Sequence, residues 1–182
     1  MRCRPYPSVM RIFTLEREQL LPGRPEEVFP FFADARNLEA ITPPLLGFEV
    51  VTPGAIPMRV GTLIQYRLTL RGVGVNWLTS IQEWDPPWRF VDVQVRGPYA
   101  LWHHTHDFAA TDGGKATIMR DTVRYAIGFG PFGAVAARAF VHRDVASIFD
   151  FRRDAVGAAL RRSVADGLEP VEDQVHTGQV PG

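Results

Sequence analysis

The spacing of apolar residues changes period twice along this chain and divides it into three parts. The first part is mixed. Arg11 to Leu21 reads as a strand led by Ile12, Phe13 and Leu15, and Pro22-Gly23 ends it. Pro25-Glu26-Glu27 marks a helix start, with proline at the first helical position and carboxylates at the positive end of the macrodipole. Val28, Phe31 and Phe32 give that helix one apolar face, and Pro30 within it is expected to kink or shorten it. Asp34 can cap a second short helix through Ile41, which Pro43-Pro44 stops.

From Gly47 to about Ile127 the period is two. Strands are expected near 47–52, 61–71, 73–84, 88–96, 99–110 and 115–127. Pro53-Gly54, Arg71-Gly72, Asp85-Pro86-Pro87, Gly97-Pro98 and Asp112-Gly113-Gly114 punctuate them, and connections this short imply an antiparallel meander. After Gly130-Pro131 the period returns to that of a helix. Val141, Val145, Ile148, Phe149, Val156, Ala159 and Leu160 form an apolar stripe, with Arg138 and Arg152 on or beside it. Gly128 to Gly133 reads as the strand-to-helix joint. The expected organisation is a flexible N-terminus over 1–10, one domain over 11–164 and a disordered tail over 165–182. Met10 opens the periodic part and is a candidate start.

Strand, two short helices, meander and long helix predict an α+β layer structure, with a curved antiparallel sheet wrapped around a long C-terminal helix. One helix cannot fill a strongly curved sheet, so a cavity is expected between them.

Turn assignment sorts the residues by face. Taking Asp112-Gly113 as a two-residue turn opposes Trp102 to Val123, His104 to Asp121, His106 to Met119 and Phe108 to Thr117. The face carrying Trp102, Phe108, Met119, Val123 and Tyr125 is the more apolar and is expected to be concave. It takes His104, His106 and Asp121 with it. Taking Gly72-Val73 as the other turn opposes Leu68 to Trp77, Tyr66 to Thr79 and Ile64 to Ile81, and adds Tyr66, Trp77 and Thr79 to the inward set. In 88–96, pattern alone buries Val91, Val93 and Val95 and turns Phe90, Asp92 and Gln94 outward.

Composition narrows the function classes. Twenty basic residues balance twenty acidic ones, so the chain carries no charge footprint for nucleic acid or an anionic membrane. No stretch reaches the roughly 18 apolar residues of a membrane span, and the N-terminus lacks the central run of a secretory signal. The single Cys3 excludes an internal disulfide and fits a reducing, cytoplasmic location. There is no G-x-S-x-G elbow, glycine-rich phosphate loop or H-E-x-x-H.

The paired His104 and Asp121 are the most informative feature. A buried polar group without a partner costs about 1–3 kcal/mol, so the two can simply satisfy each other. They can also hold the polar end of a ligand, or orient an imidazole for acid–base work. His104, His106 and Asp121 are compatible with zinc as well. His103 points away, however, and tryptophan and phenylalanine flank the pair, so no metal or other cofactor is expected. Arg152 can pair with an inward carboxylate or extend to solvent.

The run Pro25-Glu26-Glu27-Val28-Phe29, Phe32, Asn37-Leu38, Thr42-Pro43-Pro44, meander and long helix resembles the START/birch-allergen/polyketide-cyclase (SRPBCC) superfamily. Phe90-Val91-Asp92-Val93-Gln94, Gly97-Pro98-Tyr99, Trp102, His104, His106 and Phe108 are similar to a bacterial subgroup of it, as are Asp121 to Tyr125 and Ile148 to Arg152. The resemblance covers roughly residues 11–162. It implies the helix-grip fold and a cavity for a small hydrophobic or amphipathic molecule. It also implies that Asp92 and Gln94 matter, against the periodicity. Some relatives are fused to a nucleotide-sugar-epimerase-like domain, which leaves a separate partner of that kind open.

The leading expectation is non-catalytic, lipid-like ligand binding by Tyr66, Trp77, Gln94, Trp102, His104, His106, Phe108, Asp121, Val123, Tyr125, Phe149 and Arg152. The alternatives are a cyclase, dehydratase or isomerase using His104 and Asp121, and a protein-interaction module whose cavity is filled by its own side chains. No nucleic-acid partner or membrane insertion is expected.

Overall fold

The structure is a computed structural model that describes residues 10–128 and 141–165. Strand β1 (Phe13–Pro22) leads through the turn at Gly23 into helix α1 (Pro25–Ala33), and a short helix α2 (Asn37–Ala40) follows. Five strands form a meander, β3 (Leu63–Leu70), β4 (Val73–Asp85), β5 (Arg89–Arg96), β6 (Leu101–Thr111) and β7 (Ala116–Ala126), preceded by the two-residue β2 (Glu49–Val50). Helix α3 (His142–Ala165) ends the described chain. The sheet has seven strands in the order β1-β7-β6-β5-β4-β3-β2, and every neighbouring pair is antiparallel. This is the helix-grip α+β architecture.

Local chemistry sets the elements. At the start of α1 the Arg24 backbone N–H donates to Glu27 Oε2 at 2.9 Å, closing a capping box. Pro30 does not end α1, which runs on to Ala33. One lost backbone bond is tolerated because Val28, Phe29 and Phe32 anchor both sides of it in the core. The Asp34 carboxylate accepts the Arg36 N–H at 2.9 Å, and Asn37 Nδ2 reaches back to the Phe31 carbonyl at 2.8 Å, fixing α2 against α1.

Both hairpin registers differ from the sequence expectation by two residues. The β3–β4 turn is Arg71-Gly72, with φ of 50° and 80°, so Leu68 opposes Val75, Tyr66 opposes Trp77 and Ile64 opposes Thr79. A type I′ turn needs positive φ at both central positions, which a β-branched Val73 resists and Arg71 accepts. The β6–β7 turn is longer, spanning Asp112 to Lys115. Trp102 therefore opposes Tyr125, His104 opposes Val123, His106 opposes Asp121 and Phe108 opposes Met119.

The buried apolar residues form three clusters. One joins Val28, Phe29 and Phe32 to Phe90, Phe108, Met119, Val156 and Leu160. A second holds Ala35, Val50, Ile64, Tyr66 and Ile81, and a third holds Val123, Tyr125, Val145 and Phe149. Of the expected α3 stripe, Val145, Phe149, Val156, Ala159 and Leu160 are buried. The N-terminal segment before Met10, most of the glycine-rich joint, Arg138 and the tail beyond Ala165 lie outside the described residues.

Candidate functional site

A cavity of about 140 Å³ lies where the three clusters meet, walled by Phe32 and Phe90 from the first, Ile64, Tyr66 and Ile81 from the second, and Val145 and Phe149 from the third. A single water needs about 10–15 Å³ on the same measure, so there is room for a molecule of roughly ten or more heavy atoms. Leu38, Ile41, Phe48 and Met58 close it on the side of the short helices and the loop before β3.

Of the residues expected from sequence, Tyr66, Trp77, Trp102, His106, Phe149 and Arg152 line the cavity. Phe108 lies behind the wall in contact with Phe29 and Phe32, their ring centroids 5.2 and 5.1 Å away. Val123 and Tyr125 belong to the cluster under the start of α3, where the Tyr125 hydroxyl meets His142 Nδ1 at 2.5 Å. Gln94 is not on the wall either. Its amide folds over the β5–β6 turn, donating to the Tyr99 carbonyl at 2.7 Å and accepting the Tyr99 N–H at 3.3 Å. A Cβ at Gly97 would collide with it, which explains the glycine there. Gln94 thus positions Tyr99, which does line the cavity.

Strand β5 overturns part of the periodicity reading, although Val91 is buried as that reading expects. Phe90 and Asp92 face the cavity, and Val95 is exposed. The sheet places Asp92 directly opposite His104 and Ile81, both on the concave face. Apolar alternation could not find Asp92, because an inward carboxylate inverts the signal on which that reading depends.

Asp92, His104, His106 and Asp121 form one closed set carried by three adjacent strands. His104 Nε2 and His106 Nδ1 both approach Asp121 Oδ1, at 3.0 and 2.8 Å. The opposite ring nitrogens, His104 Nδ1 and His106 Nε2, approach Asp92 Oδ2 at 3.4 and 3.1 Å. The two imidazole centroids are 3.7 Å apart, Phe90 stacks on His106 at 3.9 Å, and Phe149 meets the edge of His104 at 5.2 Å. Asp121 and both histidines are buried, whereas Asp92 keeps 19% of its side chain open and lines the cavity.

The charges follow from this geometry. Burial raises the Asp121 carboxyl, but the hydrogen bond from His104 and the close approach of His106 outweigh it and hold the group well below the usual carboxylate range. Asp92 is lowered too, burial being overcome by the His106 hydrogen bond and the charges of His104, His106 and Arg152. For His104, burial and the neighbouring His106 charge win and depress its pKa. For His106, contact with both carboxylates overcomes burial and raises it. The set thus holds two carboxylates and two imidazoles beside the Arg152 guanidinium. Arg152 lines the cavity beside the set, and its buried Nε makes no hydrogen bond among the described residues. Burial pushes the Tyr66 hydroxyl well above its ordinary range, so it stays a neutral partner of Thr79.

No helix among the described residues is long and apolar enough to cross a membrane. No family model and no curated protein matches the chain. Solved structures do match in fold. The Zhui aromatase/cyclase from Streptomyces sp. R1128 aligns with a TM-score of 0.70 at 16% identity, over 88% of this chain and 100% of that one. Ara h 8.0201 aligns at 0.60 and 18% identity, over 84% and 99% of the two chains. A Thalictrum flavum norcoclaurine synthase point mutant, in complex with a transition-state analogue, aligns at 0.62 and 10% identity, over 87% and 99%.

Proposed function

We propose that this chain, built on the fold of the START/birch-allergen/polyketide-cyclase superfamily, binds a small amphipathic molecule in the cavity between its sheet and α3. The observation that carries the reading is an apolar cavity with one polar corner whose Arg152 Nε is buried and unpartnered among the described residues. Ligand sites commonly combine an apolar wall with a few placed polar groups. The aromatic and aliphatic wall takes the body of the ligand. An oxygen at its end accepts from Arg152, which lines the same corner as Asp92 and His106.

A catalytic reading has one observation in its favour: His106, with Asp92 against it, faces the cavity. If proton transfer occurs here, His106 performs it and His104 does not, since His104 is sealed behind it. The third expectation, a cavity filled by its own side chains, is disfavoured by the remaining space of about 140 Å³.

The test uses chelator-stripped protein and 1-anilinonaphthalene-8-sulfonate, an apolar fluorophore with an acidic end. Saturable binding of one probe per chain is expected, weakened about 10–100-fold by Arg152→Met, the loss of a charged hydrogen bond. Affinity unchanged by that substitution would remove the polar corner from the reading. No saturable binding would remove the cavity. Native mass spectrometry of protein from its own host then supplies the mass of the natural ligand.

A further inference from the structure

We infer that Asp92, His104 and His106 form a three-ligand site for a divalent first-row metal ion, zinc by ligand type, with its fourth position open to the cavity. The inference concerns the same corner as the ligand reading but stands on separate geometry. One donor atom from each of these residues lies within 4.8 Å of the other two. Asp92 Oδ2 is 3.4 Å from His104 Nδ1 and 3.1 Å from His106 Nε2. Ligands held about 2.0–2.1 Å from a tetrahedral ion sit roughly 3.3 Å from one another, so these two separations are edges of such a polyhedron. The longer one exceeds good hydrogen-bond length, so a direct hydrogen bond accounts for it poorly.

The outer shell is in place as well. A metal-bound imidazole usually gives its other nitrogen to a carboxylate, which fixes the ring and strengthens the ligand. Here both outward nitrogens, His104 Nε2 and His106 Nδ1, converge on Asp121 Oδ1 at 3.0 and 2.8 Å. His106 Nδ1 is buried without a well-formed hydrogen bond, and a small ring rotation about a bound ion would align it. In the sequence, His104, His106 and Asp121 are compatible with zinc, but no metal is expected there. The structure exchanges the carboxylates: Asp92 completes the inner set, and Asp121 becomes the positioning residue behind it.

Two ligands, Asp92 and His106, line the cavity, so an ion between them faces it. Three protein ligands with one open position are the arrangement of an exchangeable metal site, not a closed structural one. With both imidazoles neutral as ligands, two carboxylates, Arg152 and a divalent ion sum to about one net positive charge. The loaded site therefore favours an oxyanion, such as a carboxylate or phenolate, in the fourth position.

The test titrates the stripped, full-length chain with Zn(II) against a chromophoric chelator, and with Co(II), whose visible spectrum reports four-coordination. One ion per chain and an intense four-coordinate Co(II) spectrum are expected. Asp92→Asn and His106→Gln should each weaken Zn(II) at least about 10-fold, and Asp121→Asn about 10–100-fold at unchanged stoichiometry. His104→Gln gives a further reading if either inner-ligand variant fails to fold, judged by circular dichroism. Stoichiometry well below one overturns the inference. So does one equivalent whose affinity survives both Asp92→Asn and His106→Gln, which places the ion elsewhere. Because probe binding is measured on stripped protein, failure of the metal site and failure of the ligand reading are separate results.

Discussion

Enlarging Leu68 to phenylalanine should stabilise this protein, and the sign of the effect is the informative part. Leu68 is buried, points from β3 into the cavity and borders its apolar wall. Where an apolar void stays dry it costs about 24 cal/mol per Å³, so a cavity of about 140 Å³ withholds at most about 3 kcal/mol from the fold. One phenylalanine fills a fraction of it and should return up to about 1 kcal/mol. For a chain of 182 residues that corresponds to a Tm higher by about 2–4 °C. In a close-packed core the same overpacking costs about 1–3 kcal/mol. Urea unfolding of ligand-free wild type and L68F, with m-values compared, measures the difference, and probe affinity should fall in the variant. A loss beyond 1 kcal/mol with probe affinity unchanged would refute the argument, because it would mean that Leu68 is already fully packed.

Other predictions test the frame around the site. Phe29→Ala should cost about 3–5 kcal/mol in chemical unfolding, since its buried ring packs against Trp84, Phe90 and Phe108 at 5.2, 5.9 and 5.2 Å. Arg71→Ala removes the exposed bridge from the β3–β4 turn to Asp144 on α3 and should leave the urea unfolding midpoint nearly unchanged. Glu27 is lowered by the Arg24 backbone hydrogen bond, so its contribution is present above the ordinary value of 4.5 and fades as pH falls through the folded value. The stability gap between wild type and Glu27→Gln should accordingly be larger at neutral pH than at about pH 3, by thermal melts at matched ionic strength. Gly97→Ala should displace the Gln94 amide and loosen Tyr99, weakening probe binding with little effect on the Zn(II) titration.

Apart from the face of β5, the elements and the faces were legible in the sequence, and the registers were not. Alternation has a period of two, so choosing the wrong central pair for a turn moved both hairpins by two residues and left every side chain on its proper face. That is why Tyr66, Trp77, Trp102 and His106 were placed inward although their partners were wrong. The backbone demand that decides the turns, positive φ at Arg71 and Asp112, leaves only a weak trace in residue type. Asp92 was hidden for the opposite reason. Its valine neighbours carried the apolar signal, and only the resemblance through Phe90-Val91-Asp92-Val93-Gln94 pointed to it. The exclusion of Phe108, Val123 and Tyr125 from the cavity wall depends on which of three clusters each joins, which a face assignment cannot express.

The same ambiguity was open to the folding chain, and the buried polar set closes it. A slip of two residues between β5, β6 and β7 keeps every apolar side chain on its preferred face, so hydrophobic burial alone barely penalises it. The slip can keep one imidazole beside each carboxylate, but it breaks the closed set in which each carboxylate meets both rings. A buried polar group left without a partner costs about 1–3 kcal/mol. The set acts as a checksum on strand alignment, so a sheet that is merely amphipathic in the correct sense is penalised unless its count is correct as well.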